Sequence, residues 1–148
     1  MTVRAQVLEY VKVRLSPILR TEISTDLDAP IDQVECPVIV LVDRGDTAIE
    51  ALTIHYPRLE QRTGDLEIAV LVRDLESIKG QLAEYEGRIE FALAETAEIN
   101  SADGLTEGLY KTGSSPSLST DADQFAGRLS LFYQYQYQVY ANAPTVAL

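Results

Sequence analysis

The chain holds one cysteine, Cys36, and one histidine, His55. A lone cysteine excludes an internal disulfide. A zinc site drawn from Cys and His wants three or four ligands, so a single chain of this sequence cannot build one. Any Ser-His-Asp or Cys-His machinery would have to run through His55 alone. Both residues sit in apolar-rich segments, VECPVIV and LTIHYP, where a packed structural role suits them better than a catalytic one. Long apolar runs are also missing. None approaches the roughly 20 residues that cross a bilayer. The first residues, MTVRAQVLEYVKVRL, interleave Arg and Glu with apolar side chains, unlike a secretory signal. Synthesis in the cytosol with no membrane association is the expectation.

Basic residues are scarce: 12 Lys and Arg stand against 23 Asp and Glu, for a formal charge of −11. A surface of that sign repels nucleic-acid phosphates and anionic membranes. It serves either plain solubility or a wall past which DNA slides without sticking. The stretch TGSSPSLSTDAD, residues 112–123, has no basic residue and no Gly-Lys-Ser/Thr step, so it is no phosphate loop. Asp121 and Asp123 resemble part of a calcium loop, but its glycine and closing glutamate are absent. Carboxylate pairs are so common in a chain this acidic that they mark no active centre. The sequence nominates no catalytic residue, no cofactor site and no metal site, and an enzyme is the least favoured class.

What is present is a regular apolar pattern. With 148 residues and 46% apolar content, the chain reads as one domain, 1–148, able to bury roughly 70% of its unfolded surface. Val3, Val7, Leu8, Val11, Leu15, Ile18 and Leu19 recur at helical spacing and predict an amphipathic helix over about residues 2–16. Thr2 is its candidate N-cap. Pro17 either ends the helix near Leu15 or, with Ser16, opens one further turn. A short strand is expected within Arg20–Ser24, then a polar loop over residues 25–33. The run Val38-Ile39-Val40-Leu41-Val42 predicts a strand covered on both faces. Asp43-Arg44-Gly45-Asp46 reads as a turn, its Arg-Gly-Asp triplet included. Ile49–Tyr56 is expected to be extended and Pro57 to end it.

Leu66, Ile68, Val70 and Val72 alternate with Glu67, Ala69, Leu71 and Arg73, a strand pattern that reaches back toward Arg58. Thr63-Gly64-Asp65 is read as a bulge or a turn. Leu75, Ile78, Leu82, Tyr85, Ile89 and Leu93 step by three or four and predict the second main helix, about residues 74–95, with Asp74 as N-cap. Gly80 and Gly87 lie off that stripe and are either tolerated or admit another backbone. Residues 99–104 read as loop, 108–111 as a short strand, and 112–123 as a mobile loop. In Leu129–Val139, LSLFYQYQYQV, one face carries Leu129, Leu131, Tyr133, Tyr135, Tyr137 and Val139, and the other carries Ser130, Phe132, Gln134, Gln136 and Gln138. That is a long central strand with the domain laid against its Leu/Tyr face. Residues 143–148 read as a tail, frayed or strapped to a neighbour. The expected fold is α+β, a mixed or antiparallel sheet of about four to six strands with the two helices packed on it.

In this order the elements resemble a bacteriophage tail terminator of the lambda type. The likeness rests on the N-terminal helix VRAQVLEYVKVRL, the Cys36-Pro37 step into Val38–Val42, the strand Leu66–Val72 running into the helix with Gln81-Leu82, Arg88-Ile89-Glu90 and Leu93, a Gly-Leu-Tyr step at residues 108–110, and the final Leu-Ser-Leu-Phe-Tyr-Gln-Tyr strand. Residues 47–62 are longer than that family's usual hairpin, and residues 143–148 are additional. The resemblance implies a hexameric ring that caps the head-proximal end of the tail tube, stops tube polymerisation and joins the head's connector or neck proteins. In contractile tails it also meets the sheath. Such a protein belongs to the virion and is assembled in the host cytoplasm. Six copies of a chain at −11 amount to −66 formal charges, and Glu84, Glu86, Glu90, Glu95 and Glu98 are candidates either for the bore through which DNA passes or for a solvated helix face. The Gln134, Gln136 and Gln138 row and the tyrosines are candidates for contact surface, the alternative for Tyr133 and Tyr135 being the core. The alternatives to a terminator are a neck or head-completion connector and a small-molecule-binding module with a pocket between sheet and helices.

Overall fold

A computed structural model describes residues 3–23, 36–54, 57–73, 78–94, 105–121, 124–141 and 143–147. They form a single α+β domain: helix α1 (Val3–Leu15), strands β1 (Thr21–Ile23), β2 (Val38–Ala51) and β3 (Leu59–Arg73), helix α2 (Ile78–Ala94), and strands β4 (Leu105–Asp121), β5 (Gln124–Tyr140) and β6 (Ala143–Ala147). The sheet runs β1-β2-β3-β5-β4, and β6 joins β5. Only β1 is parallel to its neighbour, with Thr21 opposite Ile39. The β2–β3, β3–β5, β4–β5 and β5–β6 pairings are antiparallel. The sheet is therefore mixed, with both helices against one face.

On that face the predicted stripes meet. Val3, Val7, Leu8, Val11 and Leu15 of α1 and Ile78, Leu82, Ile89 and Leu93 of α2 close over Ile39, Leu41, Leu66, Ile68, Val70, Val72 and the Leu129–Val139 row. Tyr133, Tyr135 and Tyr137 are buried in this core, so the packed alternative holds for all three rings. Val38, Val40, Val42, Ala69 and Leu71 form a second, smaller cluster on the opposite face, which makes the first part of β2 a strand buried on both sides. At about 1.5–3 kcal/mol for each fully buried large aliphatic side chain, the helix-covered face supplies most of the hydrophobic driving force.

Helix α1 ends at Leu15, before Pro17. The Ser16 hydroxyl donates to the Lys12 carbonyl at 2.6 Å, and the Ile18 and Leu19 amides close a further turn onto Leu15. Two glycines permit close approaches. A Cβ on Gly127 would lie 2.4 Å from Ile78 Cγ2, and one on Gly64 would lie 2.4 Å from Tyr135 Cζ. Gly64 and Tyr135 are direct cross-strand partners, so the aromatic ring lies across the bare backbone of its neighbour. Gly80 and Gly87 meet nothing within 4 Å and are simply tolerated; the close approach to α2 belongs to Gly127.

Three expectations are corrected. The segment Asp43–Asp46 is not a turn but part of β2, where the pairing slips between Asp43 and Gly45 and again between Asp46 and Ala48. Arg44 and Thr47 are the extra residues of two bulges, and Gly45 takes a φ of +85°, which glycine adopts without the penalty of a Cβ. Opposite them, Thr63-Gly64-Asp65 runs straight through β3. The Ser-rich stretch is not a loop: residues 112–121 belong to β4, with Ser114 opposite Leu131 and Pro116 opposite Leu129. For the last segment the strapped alternative holds: β6 pairs with β5, Val139 opposite Ala147 and Tyr140 opposite Ala143. The calls on Thr2, residues 25–33, His55, Asp74, Leu75, Glu95, Glu98, residues 99–104, Asp123 and Leu148 lie outside the described residues.

Candidate functional site

No helix among the described residues packs on the face of the sheet opposite α1 and α2. Arg128, Ser130, Phe132, Gln134, Gln136 and Gln138 of β5 line that face, and so do Glu67, Gln61 and Arg44. Gln61 Nε2 donates to Gln136 Oε1 at 2.7 Å, Gln138 Nε2 reaches Gln61 Oε1 at 3.4 Å, and the Tyr110 hydroxyl donates to Gln134 Oε1 at 3.1 Å. The expected glutamine row is thus a half-exposed amide ladder, flanked by exposed Phe132, Tyr110 and Tyr140. Such a surface offers amphipathic contact without loose charge.

Beside the ladder lies an ion-pair cluster that sequence reading missed. Glu67 is 4% exposed. Its Oε1 accepts from Arg44 Nη2 at 2.8 Å and Nε at 3.2 Å, and its Oε2 accepts from Arg128 Nη2 at 2.8 Å and the Ser130 hydroxyl at 3.2 Å. Burial alone would raise the Glu67 pKa, but hydrogen bonds from Arg44 and Arg128 outweigh it and hold the carboxyl below the usual range. The bulge that defeats the turn reading swings Arg44 onto this carboxylate, clasping β2, β3 and β5 together.

On the helix face, the Tyr137 hydroxyl donates to Asp46 at 2.9 Å, and Arg62 bridges Glu60 at 2.9 Å and Asp46 at 3.8 Å. Burial, with the Asp46 hydrogen bond and charge added, pushes the Tyr137 phenol up to about 12, and burial pushes Tyr133 to about 12 as well. Neither ring can serve as a base near neutral pH. Burial likewise raises the Cys36 thiol, against the pull of Arg73 and Arg20, so it is no activated nucleophile. Among the described residues no group of three or more His, Cys, Asp or Glu is placed to hold a metal ion, and no helix is long and apolar enough to cross a membrane.

The acidic residues of α2 divide. Lys111 of β4 binds Glu86 at 2.7 Å and also Glu90, and these bonds hold the Lys111 pKa above its ordinary value. Glu84 lines a polar cavity of about 360 Å³ with Arg73, Gln81, Tyr85 and Arg88. A larger groove, about 590 Å³, opens between α2 and β4; Leu82, Ala83, Pro116 and Leu129 line it, and Lys79 and Glu86 stand beside them.

Two further features mark the surface. Strand β4 is 17 residues long and forms an edge of the sheet. Its bulges and Pro116 are devices that edge strands use against indiscriminate pairing. The β2–β3 hairpin ends in exposed aliphatic side chains: Ile49 is 55%, Leu52 41% and Ile54 88% exposed. No protein-family model matches this chain, and no curated protein matches it.

Proposed function

We propose that the chain is a structural assembly protein of the phage tail-terminator kind. Six copies form a ring on the head-proximal end of the tail tube, end tube polymerisation and present a surface to head–tail connector or neck proteins, and to the sheath if the tail is contractile. The ring belongs to the virion and is assembled in the host cytoplasm; DNA passes its bore without specific binding. The protein acts through shape and charge, with no catalytic step and no cofactor.

The observation that carries this reading is the sheet's asymmetry. One edge is a 17-residue strand, β4, and the other is the three-residue β1. The long edge presents unpaired backbone groups to another chain, and different surfaces of one chain meeting head to tail close into rings. The net charge of −11 suits a bore that repels passing phosphates.

Native mass spectrometry and negative-stain microscopy test it. Rings of six, alone or after addition of tube protein, are the expected result. Twelve-fold rings would favour a neck connector, and a strictly monomeric protein would contradict assembly altogether. The groove of about 590 Å³ between α2 and β4 favours one second reading, a small-molecule-binding module, since ligand sites usually occupy about 300–1,000 Å³. That reading requires a ligand-dependent rise in melting temperature across metabolite and metal panels.

A further inference from the structure

We infer that the polar cavity of about 360 Å³ at one end of the sheet is a binding site for a small oxyanion, a carboxylate or phosphate group on a compact molecule. The cavity lies where β2 begins and β3 ends. Pro37, Val72 and Arg73 line it from the sheet, and Gln81, Glu84, Tyr85 and Arg88 line it from α2. Those four α2 positions follow i, i+3, i+4, i+7 spacing, so one face of the helix presents them together beside the buried Leu82 and Ile89.

Its charge is set apart from the rest of the chain. Among the described residues neither Arg73 nor Arg88 forms an ion pair, whereas Arg4, Arg20, Arg44, Arg62, Lys111 and Arg128 all do. Glu84 lines the same cavity and pairs with neither arginine. Two guanidinium charges against one carboxylate leave the lining net positive on a chain of −11. The Arg88 guanidinium carbon lies 6.0 Å from the centroid of the Tyr85 ring, a stacking that holds its planar fork in place. A guanidinium offers paired N–H donors to a carboxylate or phosphate, and the Tyr85 phenol adds a neutral donor. The overall negative charge repels a polyanion, and the volume suits a small molecule, since ligand sites begin at about 300 Å³.

Cys36 gives the site a reporter of its own. It directly precedes Pro37 of the lining and lies within electrostatic reach of Arg73 and Arg20, which pull its thiol pKa down against burial. An anion held by Arg73 cancels part of that pull, lowers the thiolate fraction and slows alkylation.

Alkylation of Cys36 by iodoacetamide, at constant pH and ionic strength, tests the site with inorganic phosphate, glutarate and chloride. Phosphate or glutarate should slow the reaction by about threefold relative to chloride, and whichever acts at the lower concentration identifies the group the ligand carries. Arg88→Gln should lose most of that slowing, each rate being compared with the same variant in chloride. Glu84→Gln, which removes the one opposing charge, should give the slowing at lower anion concentration. Arg88 and Glu84 are both exposed, so neither change disturbs the core. Equal rates in all three salts, or a slowing undiminished in Arg88→Gln, would overturn the site. Ring formation is read separately by native mass spectrometry and stands or falls without it.

Discussion

Replacing Glu67 with alanine removes the carboxylate that two arginines and a serine share, and the consequence follows from what each partner can do next. Arg44 has a side chain 49% exposed and can turn to water, whereas Arg128 is 25% exposed and its Nε is already buried without a partner. Breaking a buried pair by removing one member costs about 3–5 kcal/mol. Relaxation of Arg44 brings the expectation down to about 2–3 kcal/mol, with the lost Ser130 bond included. With ~2.1 cal/mol/K of unfolding entropy per residue, a chain of this size should then melt about 6–10 °C lower.

The pH dependence has a definite sign. A carboxyl whose folded pKa is depressed contributes fully above its unfolded pKa, and that contribution disappears as pH falls through the folded value. The gap between wild type and Glu67→Gln should therefore be constant above about pH 5.5 and narrow progressively below the ordinary carboxylate pKa of 4.5. Urea denaturation across that range reads both quantities. A loss below about 0.5 kcal/mol at pH 7, or a gap that does not narrow in acid, would refute the reasoning. Replacing Glu67 and Arg128 together by leucine should cost less than the two single changes added.

Gly64→Ala should destabilise by about 1–3 kcal/mol, because the new methyl would sit inside the Tyr135 ring; thermal denaturation reads the loss, and pairing it with Tyr135→Leu should recover part of it. Gly80→Ala and Gly87→Ala, which meet open space in α2, should each stabilise by about 0.4–1 kcal/mol in the same assay. Lys111→Ala removes a partly exposed bridge to Glu86 and Glu90, and should cost no more than about 1 kcal/mol, less at high salt.

Periodicity made the core legible. The stripe of α1, the stripe of α2 and the alternation of Leu66–Val72 and Leu129–Val139 all arise from side-chain geometry that local sequence encodes, and each buries the face it predicted. The errors came where local chemistry and long-range pairing disagree. Asp-Arg-Gly-Asp has turn composition, yet β3 runs alongside it, and the chain keeps its ladder by bulging at Arg44 and Thr47. Gly, Ser and Pro in residues 112–121 argue for loop, but β5 supplies a template that outweighs weak strand preference. Pro116 fits because β4 is an edge. The Arg44–Glu67–Arg128 cluster was invisible for the same reason: its members lie 23 and 61 residues apart, and only the bulge and the β3–β5 register bring them together.

Tube protein polymerised with and without the purified chain gives the most direct test of assembly as the function. Tubes grown with it should stop short, with a six-fold ring on one end in electron micrographs and no further growth when tube subunits are added. Tubes of unchanged length with bare ends, at chain concentrations matching the tube ends, would contradict it.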